Sequence, residues 1–275
     1  MPVGSGIGCM LAKGFAVNGA KIILVDINAE GLQETERICQ EAAASVGLPE
    51  VLVWQIIGDL TSEQDVNEIA ISVRSACILG SLDVVIHCAA YRHMNVISYT
   101  HDPSSPSLTN LATATASASW TEWDRSFRIN VLAPYFLTAR LIDLLGAATK
   151  LGYGRGSVIL FSSPASVHAH QFVPAYQTTK AAVDHLTKIL AAEFAGFYIR
   201  VNAMSPGLVP SAMSDVNDPA SNIHLAKDSP SKVAGAEEDM VGTAVWLSSR
   251  AGAYMDGKVV RVDGGRLLVL QGAGS

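Results

Sequence analysis

Residues 4–26 read GSGIGCMLAKGFAVNGAKIILVD: glycines at Gly4, Gly6 and Gly8, an amphipathic stretch from Cys9 to Asn18, and an apolar run that ends in Asp26. Glycines let a backbone approach a pyrophosphate, and a helix N-terminus behind them offers free N–H groups with partial positive charge. The interval from Gly8 to Asp26 is close to that of a dinucleotide-binding unit, with Asp26 closing the second strand. There its carboxylate can accept from both ribose hydroxyls and repel a 2′-phosphate, which favours NAD(H) and leaves NADP(H) possible. A plain turn and a solvated strand-end Asp are the bland readings of the same residues.

Outward from this unit the pattern repeats. KIILVDI, VLVWQII, LDVVIHCAA, GSVILFSS, YIRVNAMSP and GKVVRVDGG are short, rich in Val and Ile, and apolar on both faces, as parallel strands under helices are. Between them lie amphipathic stretches such as TSEQDVNEIAISVRSACIL and YQTTKAAVDHLTKILAAEF, with Val183, Leu186, Ile189, Leu190 and Phe194 at helical spacing. The alternation predicts an α/β, doubly wound parallel sheet with right-handed crossovers, in a single domain over residues 1–275. Two segments break the rhythm. Residues 100–120, rich in Ser, Thr, Ala and Pro, read as an exposed insertion, and residues 208–232 read as a mobile substrate lid.

Composition narrows the function classes. The chain has 275 residues, 49% of them hydrophobic, and no apolar run of membrane length is expected. A net charge of −6 with interspersed signs gives no basic patch for nucleic acid or an anionic membrane, and leaves small-molecule ligands open. The four cysteines, Cys9, Cys39, Cys77 and Cys88, lack metal-ligand spacing and read as buried free thiols. No metal is expected. No signal-like leader is visible, so a cytoplasmic address is the default.

The chemistry concentrates later in the chain. Tyr176 and Lys180 stand one helical turn apart in YQTTK and share a face; Ser163 ends the strand VILFSS; Asn130 lies in FRINVLAPYF. In these residues the sequence resembles the classical short-chain dehydrogenase/reductase family, whose tetrad is Asn, Ser, Tyr and Lys in this order. The resemblance spans nearly the whole chain. It implies a Rossmann-like fold, a nicotinamide cofactor and a homodimer or homotetramer packed through the helices carrying Asn130 and Tyr176. PAYQTTKAAVDHLTKILAAEF and the segment EDMVGTAVWLSSRAGAYMDGKVVRVDGG look most like the branch of 3-oxoacyl-carrier reductases and fungal secondary-metabolism relatives. By the same resemblance Gly4, Ser5, Gly6, Ile7, Gly8 and Asp26 would hold the cofactor, with Asp59 and Leu60 of GDLTS on the adenine. Ala89 and Ala90 would lie at the ribose, Pro206, Gly207, Val209 and Ser211 at the nicotinamide, and Tyr176 and Lys180 against both cofactor and substrate.

Hydride transfer to a ketone leaves an alkoxide that needs a proton, and a tyrosine serves only if its pKa falls from about 10 toward neutrality. Three units is about 4 kcal/mol. Lys180 and an oxidised nicotinamide would supply it by charge, Ser163 would hold the substrate oxygen, and Asn130 would hold a water linking Lys180 to solvent. The expected function is hydride exchange between a nicotinamide cofactor and a carbonyl or secondary alcohol.

Several residues depart from the family pattern. His87, Cys88, Ala89 and Ala90 stand where it has Asn-Asn-Ala-Gly, and the Cβ of Ala90 crowds the ribose side. His87 reads as a satisfied core group, His168 and His170 as exposed loop residues, and Ser211 replaces a Thr. The pattern also places a strand before Gly4, where only Met1, Pro2 and Val3 stand. That strand is central in the family's sheet. Without it the neighbouring strands stand about 10 Å apart with unpaired backbone groups, each costing about 1–3 kcal/mol if buried dry, so an empty gap is not expected. The tail RLLVLQGAGS resembles an apolar first strand entering a Gly-rich turn, but Gly264, Gly265 and Arg266 reach only about 10 Å, against a path of more than about 25 Å to the sheet centre. Three readings stay open: a natural chain that starts earlier, another subunit's tail in the gap, or a rearranged sheet with impaired cofactor binding. The rival function is correspondingly a non-redox relative that binds or shapes a substrate with a degraded cofactor site.

Overall fold

The computed structural model describes residues 6–94, 97, 99, 105–169, 173–211, 213–215, 217 and 221–270. Gly4, Ser5 and His170 lie outside them. The described chain alternates helix and strand in the order α1 (Ile7–Ala16), β1 (Ile22–Asp26), α2 (Ala29–Ser45), β2 (Val53–Ile57), α3 (Glu63–Ala76) and β3 (Val84–His87). It continues through α4 (Leu108–Ala116), α5 (Trp120–Phe127), α6 (Ala133–Thr149), β4 (Ser157–Phe161), α7 (Pro174–Phe194), β5 (Arg200–Pro206), α8 (Glu237–Ser248) and β6 (Val259–Val262). All six apolar runs read from the sequence are strands. Helix starts follow local chemistry: the Asn28 side chain accepts from the Gly31 amide at 3.2 Å at the head of α2, and Ser62 accepts from Asp65 at 3.2 Å at the head of α3.

The strands form two parallel sheets rather than one. β1 pairs with β2, and β3–β4–β5–β6 make the other, with Val84 opposite Ser157 and Ser157 opposite Arg200. β4 and β5 are buried along their whole length. On one face Val158, Leu160, Val201 and Ala203 meet Val183, Leu190 and Phe194 of α7; on the other Ile159, Phe161 and Met204 meet Leu11 of α1 and Met240, Ala244 and Leu247 of α8. α1 also packs Ala12 and Ala16 against Ile22, Leu24 and Leu32, while α3 and α6 share a core with Ile23, Val25 and Val85. Helices on both faces therefore bridge the two sheets.

Between β1 and β3 lies a cavity of about 140 Å³ lined by Ile23, Val25, Val84, Val85, Ile86 and His87, among others. This is the position of the strand that the family pattern puts before Gly4. Among the described residues no strand lies in this gap; helices span it, and every residue of β3 is only half-buried, its outer edge bordering the cavity. The described strands keep the order β1–β2 on one side of the gap and β3–β4–β5–β6 on the other.

The segment read as an exposed insertion is mostly exposed where it is described, and its residues 108–116 form the helix α4, capped by Ser107, whose Oγ accepts from the Asn110 amide at 3.3 Å. The described part of the tail turns as a 3-10 segment, Arg266–Leu268, and not as a strand. The continuous helical stretch Trp120–Thr149 is by length and composition apolar enough to cross a membrane, yet 44% of its apolar window is buried in the fold. It serves as a core helix, with Leu137, Leu141 and Leu144 under α3. In the lid region the described residues include a 3-10 segment, Asn222–Asp228, and a bridge between Ser211 and Ser214.

Candidate active site

Strand β4 delivers Ser162 and Ser163 to the open end of the sheet. Ser163 stays extended, and its Oγ accepts from the Ala165 amide at 3.2 Å, capping a short 3-10 turn, Pro164–Ser166. α7 then opens on Pro174, whose missing N–H costs nothing in a first turn, and sets Tyr176 and Lys180 on one face. Tyr176 is 9% exposed and hydrogen-bonds Ser163. Lys180 is 2% exposed; its Nζ donates to the Phe161 carbonyl at 2.6 Å and stands 5.5 Å from the centroid of the Tyr176 ring.

Burial dominates the electrostatics of this trio. It pushes the Tyr176 phenol up, opposed by the Ser163 hydrogen bond and the charge of Arg92. It pushes Lys180 down to about 8, opposed by Asp184 one turn further on and by Cys88. Asp184 in turn accepts from the Ser162 hydroxyl. The result is a protonated phenol beside a hydroxyl and an amine poised near neutrality, all lining a cavity of about 110 Å³.

Asn130 sits in a π-helical turn, Arg128–Leu132, between α5 and α6, a local widening that recurs at functional sites. Its amide is engaged by protein groups: Oδ1 accepts from the Tyr91 N–H at 2.8 Å, and Nδ2 donates to the Tyr91 carbonyl at 2.8 Å and to Thr179 Oγ1 at 3.0 Å. The side-chain amide thus clamps the loop after β3 to the turn of α7 just before Lys180.

The sequence-derived cofactor residues divide between the two cavities. Ile7, Ala90, Pro206, Gly207, Val209 and Ser211 line the cavity of Tyr176, whereas Gly8, Asp26, Leu60 and Ala89 line the cavity between the sheets; Cys88 lines both. Two glycines make the junction possible. Gly6 has φ 84°, and a Cβ there would lie 3.2 Å from the Ser211 Cβ, so the start of α1 abuts Ser211; a Cβ on Gly207 would lie 2.7 Å from the Asp263 Cα. The residues thus fit a nicotinamide group at the catalytic cavity, where backbone approaches closely and hydroxyl and ammonium groups converge. Asp26 is 8% exposed at the other end and accepts from the Asn28 amide at 2.9 Å. Asp59 lines neither cavity, and its carboxylate accepts from the Thr61 amide at 2.8 Å and hydroxyl at 2.9 Å.

His87 behaves as the sequence suggests: its Nε2 meets Thr138 Oγ1 at 2.8 Å, and burial holds its pKa down at about 4, so it is neutral. His168 does not, because it is 8% exposed and not a surface loop residue. Among the described residues all four cysteines are free, Cys39 fully buried and the others half-buried, and no cluster of three metal-ligating side chains occurs. Sequence reading missed Arg92, which lines the catalytic cavity, and Asp184, the neighbour of Lys180. Asp184 was legible as the next i+4 position after Lys180; Arg92 had no local signal.

Known proteins resemble this chain over nearly its whole length. The family model for Enoyl-(Acyl carrier protein) reductase matches residues 3–266. A short-chain dehydrogenase/reductase of Diaporthe leptostromiformis, PhomF, is 30% identical over 96% of this chain and 89% of its own length. Gluconate 5-dehydrogenase of Gluconobacter oxydans (strain 621H) is 28% identical over 94% of this chain and 90% of its own. Among solved structures, L-sorbose reductase from Gluconobacter frateurii, in complex with NADPH and L-sorbose, superposes with a TM-score of 0.79 at 26% identity, covering 98% of this chain and 95% of that one.

Proposed function

We propose a residue-by-residue reaction for this chain, which belongs to the short-chain dehydrogenase/reductase family and is accordingly a nicotinamide-dependent oxidoreductase of small-molecule substrates. In our reading it interconverts a ketone and a secondary alcohol. A nicotinamide held at this cavity would supply or accept the hydride. Ser163 donates its hydroxyl proton in a hydrogen bond to the substrate oxygen, and Tyr176 gives that oxygen the phenolic proton as it becomes an alkoxide, taking one back in the oxidising direction. The Lys180 ammonium stabilises the phenolate beside it, and Asn130 positions α7 through Thr179. The observation that carries this is the meeting of Ser163, Tyr176 and Lys180 on one cavity wall.

For the cofactor, the family resemblance assigns Gly4, Ser5, Gly6, Ile7 and Gly8 to the pyrophosphate, and Pro206, Gly207, Val209 and Ser211 to the nicotinamide. Asp26 favours NAD(H), with Asp59, Leu60 and Ala89 on the adenosine side and Ala90 at a ribose. A homodimer or homotetramer formed through α6 and α7 would cover the exposed Leu132, Tyr135, Phe136 and Ile189, in a single cytoplasmic domain. The non-redox alternative draws on the parted sheet and on Ala90. Fluorescence titration separates the two readings: NADH or NADPH binds at micromolar concentration, and Tyr176→Phe keeps that binding while kcat falls about 1,000-fold. Absence of binding at millimolar cofactor would overturn the redox reading.

A further inference from the structure

The catalytic cavity carries more positive charge than the reaction above uses. Among the described residues its charged lining is Arg92, Lys180 and Arg266, with no Asp or Glu. Lys180 is committed to Tyr176 and Phe161. Arg266 is 8% exposed, donates to the Leu225 carbonyl at 2.8 Å and has Asp228 and Asp263 as counter-charges. Arg92 differs from both. It is half-buried in the loop leaving β3, its Nη2 donates to the Met213 carbonyl at 2.8 Å, and among the described residues no carboxylate pairs with it. A guanidinium has five N–H donors, so most of this one's capacity is left for something that enters the cavity. Its charge reaches the Tyr176 phenol, which places it within electrostatic range of the reacting oxygen.

A half-buried cation without an anion is costly unless one arrives with the ligand. We propose that Arg92 binds a carboxylate of the substrate, making the substrate a small oxo acid, or the hydroxy acid in reverse, with its ketone at Ser163 and Tyr176. Two coplanar oxygens match the planar fork of a guanidinium, one of whose Nη2 hydrogens is already spent on Met213. The inference rests on the redox reading for its ketone end and not for its carboxylate end.

The test pairs 2-oxobutanoate, 3-oxobutanoate and 4-oxopentanoate with their methyl esters and adds dihydroxyacetone phosphate, in wild type, Arg92→Leu and Arg92→Lys. The quantity read is the acid-to-ester ratio of kcat/KM within each protein. One acid is favoured over its ester by about 100-fold in wild type, the ratio falls toward one in Arg92→Leu through KM, and Arg92→Lys recovers part of it. A wild-type ratio near one, an unchanged ratio in Arg92→Leu, or preference for the phosphate overturns the proposal. Intrinsic-fluorescence titration with the same acids and esters reads the carboxylate site without turnover. Arg92-dependent acid binding without reduction would refute the redox reading and sustain this one.

Discussion

The two halves of the sheet meet the same physics differently. In the four-stranded half, β4 and β5 have neighbours on both edges and helices on both faces, and this half delivers Ser163, with Tyr176 and Lys180 on the helix packed against it. In the two-stranded half, β1 has one partner and a cavity on its other edge, and Asp26 stands at its end. The catalytic trio is therefore held by a complete ladder, while the carboxylate assigned to the ribose hangs on a half-ladder joined to the rest through α1, α3 and α6. Catalytic geometry and nucleotide geometry become separable properties, and each of the following measurements presses on that separation.

The largest effect belongs to the closed half. Lys180 has a folded pKa of about 8 against 10.5 for the free side chain. Below pH 8 the folded protein carries a buried charge; between 8 and 10.5 the folded protein has lost the proton while the unfolded chain still holds it, so stability rises with pH across that window. Lys180→Met removes both the cost and the rise. Urea unfolding at pH 7 should show the variant more stable by about 3 kcal/mol while turnover is lost, with the two proteins converging by pH 10. Equal stability at pH 7 would mean that Lys180 is solvated and the trio less enclosed than its geometry indicates.

A smaller effect belongs to the cavity wall. His87 is neutral with a pKa of about 4 against 6.5 when free, so its contribution is complete above pH 6.5 and is lost as pH falls toward 4, when unfolding takes up a proton. His87→Asn, which keeps a hydrogen-bonding group for Thr138, should be indistinguishable from wild type at pH 7. At pH 4.5 it should lose about 2 kcal/mol less, the full shift being discounted because the cavity reaches His87. An identical acid limb in the two proteins would show that water already reaches the ring and that the parted sheet is wetter than its apolar lining suggests.

What the sequence made legible is what short-range chemistry decides. The six strands follow from runs such as VILF and IILV, and Tyr176 and Lys180 meet because i and i+4 share a helix face. The head of α5 was equally readable, since Ser119 precedes Glu122 by three and its Oγ accepts from that amide at 3.4 Å, yet the Ser and Thr content of the region hid it. The two-sheet arrangement of the described strands was not readable: how α1 and α6 bridge from β1 to β3 joins positions far apart in the chain, which no local pattern encodes. Arg92 was hidden for the same reason, because its place beside Met213 joins positions far apart in the chain.

The smallest and most direct measurement is amide hydrogen exchange, strand against strand. Val158 and Val201 lie in fully paired strands, and their amides are released only when the domain opens. In β1 the amides that bond β2 share that protection, but those turned to the cavity have no strand to bond among the described residues, so alternate residues of Ile22–Asp26 should exchange at least about tenfold faster than their neighbours, a difference of about 1.4 kcal/mol per tenfold step. Uniform protection along β1 would mean that another segment fills the gap in solution and would erase the contrast between the halves. Adding saturating NADH sharpens the result. A cofactor that touches both Asp26 and Ser211 ties the half-sheets together and slows exchange in β1, whereas one held only at Ser211, Gly207 and Lys180 leaves β1 as it was.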